Sequence, residues 1–186
     1  MKYKILKTGL LFVSFYGLAN AANIAYIAKA APGDTASAGA GKQWPATRFV
    51  VNGNCVTDNL TGLMWAKNAN LLGNGTWGSS STSGTAQYKV AQMNTNPSAT
   101  GYQLCGYSDW RLSNEKELLS LFNYAASSGS QAAWLNSEGF SNVQSANYWS
   151  STPGGLTAWF ANMSNGASAS DDGFNNYYIW PVRGGQ

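Results

Sequence analysis

Apolar and polar residues alternate along this chain in several different rhythms, and each rhythm predicts an element. "RFVV" (48–51) is a short apolar run closed by Asn52-Gly53-Asn54, which reads as an opening strand and its turn. "DNLTGLMW" (58–65) reads as a tight turn leading into a short apolar strand. The stretch 68–85, rich in Asn, Gly and Ser, has no period and reads as a long polar loop. In "TAQYKVAQMN" (85–94), Ala86, Val90 and Met93 recur at i, i+4 and i+7, the spacing of a short amphipathic helix. "SATGYQLCGYSDWRL" (98–112) is irregular. Asn114 with Glu117 three residues later is a capping pair. Leu118, Leu119, Leu121, Phe122 and Ala125 follow it as the broad apolar face of a second helix.

The C-terminal part changes to strand rhythm. "NYWSST" (147–152) and "TAWFANM" (157–163) read as strands. Asn165-Gly166 is a type I′ hairpin signal leading into "ASAS" (167–170). "YYIWPV" (177–182) is apolar on both faces, as one buried strand would be, with Pro181 at its end or at a bulge. The order of strand, two helices and several strands predicts an α+β domain.

The N-terminal stretch has a different character. Lys2, Lys4 and Lys7 precede the apolar run "GLLFVSFYGL" (9–18), and Ala19-Asn20-Ala21 places small residues around a cleavage point, so 1–21 reads as a signal peptide and the protein as exported. A second small-x-small pattern at Ala28-Lys29-Ala30 leaves the cut position open. Residues 22–47, rich in Ala, Gly and small polar residues, read as a linker, and 48–186 as a single domain. Of 11 Lys and Arg against 8 Asp and Glu, three Lys lie in the signal, which leaves the mature chain with 8 of each and no net charge. A neutral chain lacks the electrostatic footprint that nucleic acid requires. No segment after residue 21 is apolar and long enough to cross a bilayer.

Two cysteines, Cys55 and Cys105, in an exported chain make a disulfide the default. Closing that loop would stabilise by about 4 kcal/mol in the chain-entropy picture. Two cysteines without histidine are a poor metal set, and the C-x-x-C spacing of a redox pair is missing. The chain has no histidine at all, which removes Ser-His-Asp and Cys-His catalysis.

"DNLTGLMW" (58–65), "CGYSDWRL" with the following Glu117-Leu118, "YWSST" (148–152) and "VRGG" (182–185) occur in this order. Together they resemble the Lcl C-terminal domain family, also called DUF1566 and named for a collagen-like bacterial adhesin. The resemblance spans residues 50–186. It implies a C-type-lectin-like fold of the formylglycine-generating-enzyme variant: two helices flanking a small, twisted antiparallel sheet, with long loops over one end. Family members usually carry Pro after "DWRL", and Ser113 stands there in this chain. That departure puts the start of the second helix in doubt. The enzyme that shares the fold uses a redox-active cysteine pair, chemistry that a structural Cys55–Cys105 staple would not carry over.

Within these motifs Asp58, Asp109, Arg111, Glu117 and Arg183 read as clamp residues, and Trp65, Trp110, Trp149, Trp159 and Trp180 as core. Glu115 and Glu117 are explained by the favourable field of a helix start. The loop "SDDGFNNYY" (170–178) is the candidate binding site, with Asp171, Asp172, Asn175, Asn176, Tyr177 and Tyr178. Its carboxylates and amides could hold Ca²⁺, its aromatic faces and amides could hold a sugar, and a plain solvated loop is the simplest reading. The expected function is a non-catalytic, lectin-like recognition domain for glycans or extracellular matrix, with a scaffold subunit of a cell-envelope assembly as the alternative.

Overall fold

The computed structural model describes residues 44–124 and 131–184. The signal peptide, most of the linker, and Ala125 of the second helix's expected face lie outside the described residues. Trp44, at the end of the stretch read as linker, belongs to the folded unit: it is buried, and its ring lies 5.7 Å from that of Trp134.

Short strands and tight turns build two sheets. β1 (Phe49–Asn52) and β2 (Cys55–Asp58) form a hairpin whose turn places Gly53 at φ 59°, a left-handed conformation glycine adopts without a Cβ penalty. A second tight turn, closed by Gly62 N–H donating to the Asp58 carbonyl at 2.7 Å, leads into β3 (Leu63–Ala66). With β10 (Pro181–Arg183) and β5 (Arg111–Leu112) these strands form a sheet in the order β1-β2-β3-β10-β5. The second sheet runs β4-β9-β6-β7-β8: β4 (Asn74–Gly75), β9 (Tyr177–Tyr178), β6 (Asn147–Gly154), β7 (Thr157–Asn162) and β8 (Ser168–Asp171). All pairings are antiparallel except β6 with β9. The domain is thus α+β, but with two sheets where one was expected.

α1 (Ala86–Thr95) buries Ala86, Val90 and Met93, the predicted face, and Thr85 caps it by accepting from Tyr88 N–H. α2 (Glu115–Ser120) starts at the predicted cap. Asn114 Oδ1 accepts from Glu117 N–H, and Glu117 Oε2 accepts from Asn114 N–H, a complete capping box that needs no preceding proline. α2 is shorter than its apolar run. The Ser120 carbonyl accepts from Arg48, and Gln131 bonds both the N–H and the carbonyl of Asn123, so the chain is drawn out of the helix while Leu121 and Phe122 stay buried. A further helix, α3 (Gln131–Ser137), was not predicted. Its seven residues are too few for a periodic signal, although Ala132 and Leu135 are buried.

Three other expectations are corrected. "YYIWPV" is not one strand: β9 and β10 lie in different sheets, and Ile179-Trp180 crosses between them. Ile179 packs in a core cluster with Val90, Met93 and Trp149, while Trp180 packs in another with Trp65 and Tyr148, which explains why the run is apolar on both faces. Pro181 opens β10, where its missing N–H is tolerated. The β7–β8 turn is not type I′. Among the described residues Gly166 has positive φ but Asn165 does not, and Gly166 N–H donates to the Asn162 carbonyl across a longer loop. Asn162 Oδ1 organises that loop by accepting from the Ser164 and Asn165 N–H groups. Trp159, read as core, is only half-buried and belongs to neither core cluster, whereas Trp65, Trp110, Trp149 and Trp180 are all buried.

Candidate functional site

Three arginines, each in a bidentate pair, fix the frame on which any site rests. Arg48 donates Nε to Asp58 Oδ1 at 3.0 Å and Nη2 to Oδ2 at 2.9 Å, both side chains being buried. Arg111 donates to both oxygens of Glu117, at 2.7 and 2.6 Å, which joins β5 to the start of α2. Arg183 donates to both oxygens of Asp109, at 2.7 and 3.0 Å, and its guanidinium lies 3.7 Å from the Tyr107 ring centroid. Asp58, Asp109 and Glu117 are thus clamp partners as expected. Arg48, however, was passed over as the partner of Asp58. Arg48 opens the first predicted strand, but nothing in the sequence signals that it pairs with Asp58 ten residues further on.

The Cys55–Cys105 disulfide is present. The two halves differ: Cys55 is fully buried in a core cluster with Trp110 and Leu112, while Cys105 is exposed on a turn at φ 55°. No free cysteine occurs among the described residues.

The loop 170–178 is shaped by one carboxylate. Asp171 Oδ1 accepts from Asp172 N–H, and Asp171 Oδ2 accepts from Asn175 Nδ2 and from the Tyr177 hydroxyl. The Tyr177 phenol is the largest cause holding the Asp171 carboxyl below the ordinary carboxylate range, followed by the Asp172 backbone N–H. Burial, reinforced by the hydrogen bond to Asp171, pushes the Tyr177 phenol above its ordinary value, and a hydrogen bond from Asn147 works against that rise. The Tyr177 ring lies across the sheet, 4.4 Å from Trp149 and 5.0 Å from Phe160. Trp149 Nε1 donates to the carbonyls of Gly75 and Asn175, at 2.9 and 3.2 Å, and Trp77 N–H donates to the Gly173 carbonyl at 2.9 Å.

The six candidate residues therefore divide. Asp171 and Tyr177 hold the loop's shape. Tyr178 packs its ring 5.4 Å from buried Tyr148 and supports the core. Asp172, Asn175 and Asn176 are exposed, and between them Phe174, which sequence reasoning passed over, is 82% exposed. The turn between β6 and β7 ends at the same edge, since Ala158 pairs with Asp171, and it carries Leu156 fully exposed. Among the described residues no three His, Cys, Asp or Glu side chains come together as a metal set. No helix among them is long and apolar enough to cross a membrane.

Two surface grooves lie away from this loop. One, of about 460 Å³, lies over the disulfide beside the β1–β2 turn, and the other, of about 330 Å³, runs between α1 and Leu71-Leu72.

No curated protein matches the chain. A family match, in contrast, covers residues 54–183, from the end of the β1–β2 turn to Arg183, and so takes in β2 to β10, the clamps of Arg111 and Arg183 and the loop 170–178, while β1 and Arg48 lie outside it. The chain therefore belongs to the Lcl C-terminal domain family.

Proposed function

We propose that this is an exported, non-catalytic recognition domain of C-type-lectin-like type that binds glycans or extracellular matrix at the end of the second sheet. The observation that carries the reading is the loop 171–178. Its shape is set from within by Asp171 and Tyr177, and it presents Phe174, Asn175 and Asn176 to solvent. An exposed aromatic ring beside amide groups offers stacking for a sugar's C–H face and hydrogen bonds for its hydroxyls, and a rigid scaffold lowers the ordering cost of binding. The alternative, a scaffold subunit of a cell-envelope assembly, draws on Leu156, a fully exposed apolar side chain at the same edge.

Presenting the exported protein to an array of glycans and matrix components, with Ca²⁺ and with EDTA, tests the reading. Binding to at least one glycan or matrix component is expected, and it persists in EDTA because both oxygens of Asp171 already accept hydrogen bonds from the loop. Binding that needs Ca²⁺ would replace the direct-contact picture with a bridging cation. Absence of binding to every component would leave the scaffold reading.

A further inference from the structure

We propose that the groove over the disulfide is a second binding site, one that takes a single uncharged sugar residue. Its volume of about 460 Å³ suits one sugar residue. Its two walls are the β1–β2 turn, with Asn52 and Asn54 exposed, and the 103–107 segment, with Tyr107 exposed. The floor is Met64 and the Cys55–Cys105 bridge.

The site is held in shape before any ligand arrives. Gln103 and Cys105 lie in the left-handed region at φ 45° and 55°, which folds their segment into a tight turn, and the disulfide bonds that turn covalently to β2. The Tyr107 ring is supported by the Arg183 guanidinium, itself fixed by two bonds to Asp109. A supported aromatic ring is a stacking platform that loses little conformational freedom on binding.

The lining selects the ligand's chemistry. It contains no Asp, Glu, Lys or Arg, and the Arg183 guanidinium against Tyr107 already has its carboxylate, so an anionic sugar would find no charge in the lining to meet it. A flat aromatic ligand would leave the Asn52 and Asn54 amides facing its apolar edge, where they lose hydrogen bonds to water without replacement. A pyranose satisfies both halves, with its C–H face against Tyr107 and the sulfur-lined floor and its hydroxyls toward the amides. This site stands independently of the loop 171–178.

The test is titration of glucose, galactose, N-acetylglucosamine and glucuronate, each separately, into the full chain followed by ¹H–¹⁵N NMR. At least one neutral sugar should give saturable shifts confined to residues 52–55, 64 and 105–107, with a Kd of about 1 mM, and glucuronate should give none. Tyr107→Ala should weaken binding about tenfold with the disulfide and melting temperature intact, while Tyr107→Phe should bind as the wild type. If Tyr107→Ala fails to fold, Asn54→Ala at an exposed turn position should show the same loss. Shifts that avoid these residues for every sugar, or equal binding of glucuronate, would overturn the proposal.

Discussion

The Asp58 carboxylate accepts four hydrogen bonds, from Arg48 Nε and Nη2, from Leu60 N–H and from the Thr61 hydroxyl, with no exposed side-chain surface. Arg48 in turn stacks on Trp44 and Phe49, at 4.3 and 4.5 Å from the ring centroids. Removing one partner of such a pair strands the other charge away from water. Asp58→Asn should therefore destabilise the domain by about 3–5 kcal/mol, whereas Asp109→Asn, which breaks a pair open to solvent, should do so by no more than about 1 kcal/mol. Urea unfolding of the two variants checks the ranking, and equal losses would contradict it. At Tyr177 and Asp171 the relevant quantity is a proton. The phenol's pKa is raised in the folded state, so its contribution is complete below the ordinary phenol value and is lost as pH rises through the elevated one. Asp171 is depressed, so its contribution is present above the ordinary carboxylate value and is lost as pH falls through the lowered one. The loop is thus held across the whole neutral range. Asp171→Asn removes one cause of the Tyr177 shift and leaves its burial. The Tyr177 titration, followed by NMR, should move down without reaching the ordinary phenol value, and no movement would show that the hydrogen bond plays no part.

Short elements here are fixed by side chains at their ends more than by their own length. α2 has six residues, yet it carries a full capping box and a bidentate arginine on Glu117. Asn114→Ala should therefore cost about 1 kcal/mol. Ser113, just before that cap, is buried and its hydroxyl has no partner among the described residues. Ser113→Ala should be neutral or stabilising by up to about 1 kcal/mol, since it removes an unsatisfied buried hydroxyl. Thermal melts of both variants distinguish the two effects, and a loss of stability in Ser113→Ala would mean the hydroxyl is satisfied in solution. The same dependence on side chains explains what the sequence disclosed. α1 and the start of α2 were legible because periodicity and capping are local. The split of "YYIWPV" into β9 and β10 was not, because a run buried on both faces looks alike whether it crosses one sheet or joins two. The Asn162 side chain that overrides the Asn165-Gly166 turn signal lies outside the dipeptide that carries the signal.

Across the whole molecule, two sheets share Ile179-Trp180 as their hinge of packing, and the disulfide joins β2 to the turn at Cys105 over a sequence separation of 50. Family membership and the disulfide were readable from ordered motifs and cysteine parity. The internal division of the candidate loop was not, because only the folded chain shows that Asp171 and Tyr177 face each other while Phe174 faces outward. In the proposed function this outward face, and not the loop's internal frame, meets a glycan or matrix component. The most direct measurement compares the wild type with a Phe174→Ala/Asn176→Ala variant for binding to the array component that the wild type recognises, with thermal unfolding run in parallel. Binding weakened by about tenfold or more and an unchanged melting temperature are expected, since both side chains are exposed. Undiminished binding by the double variant would contradict it.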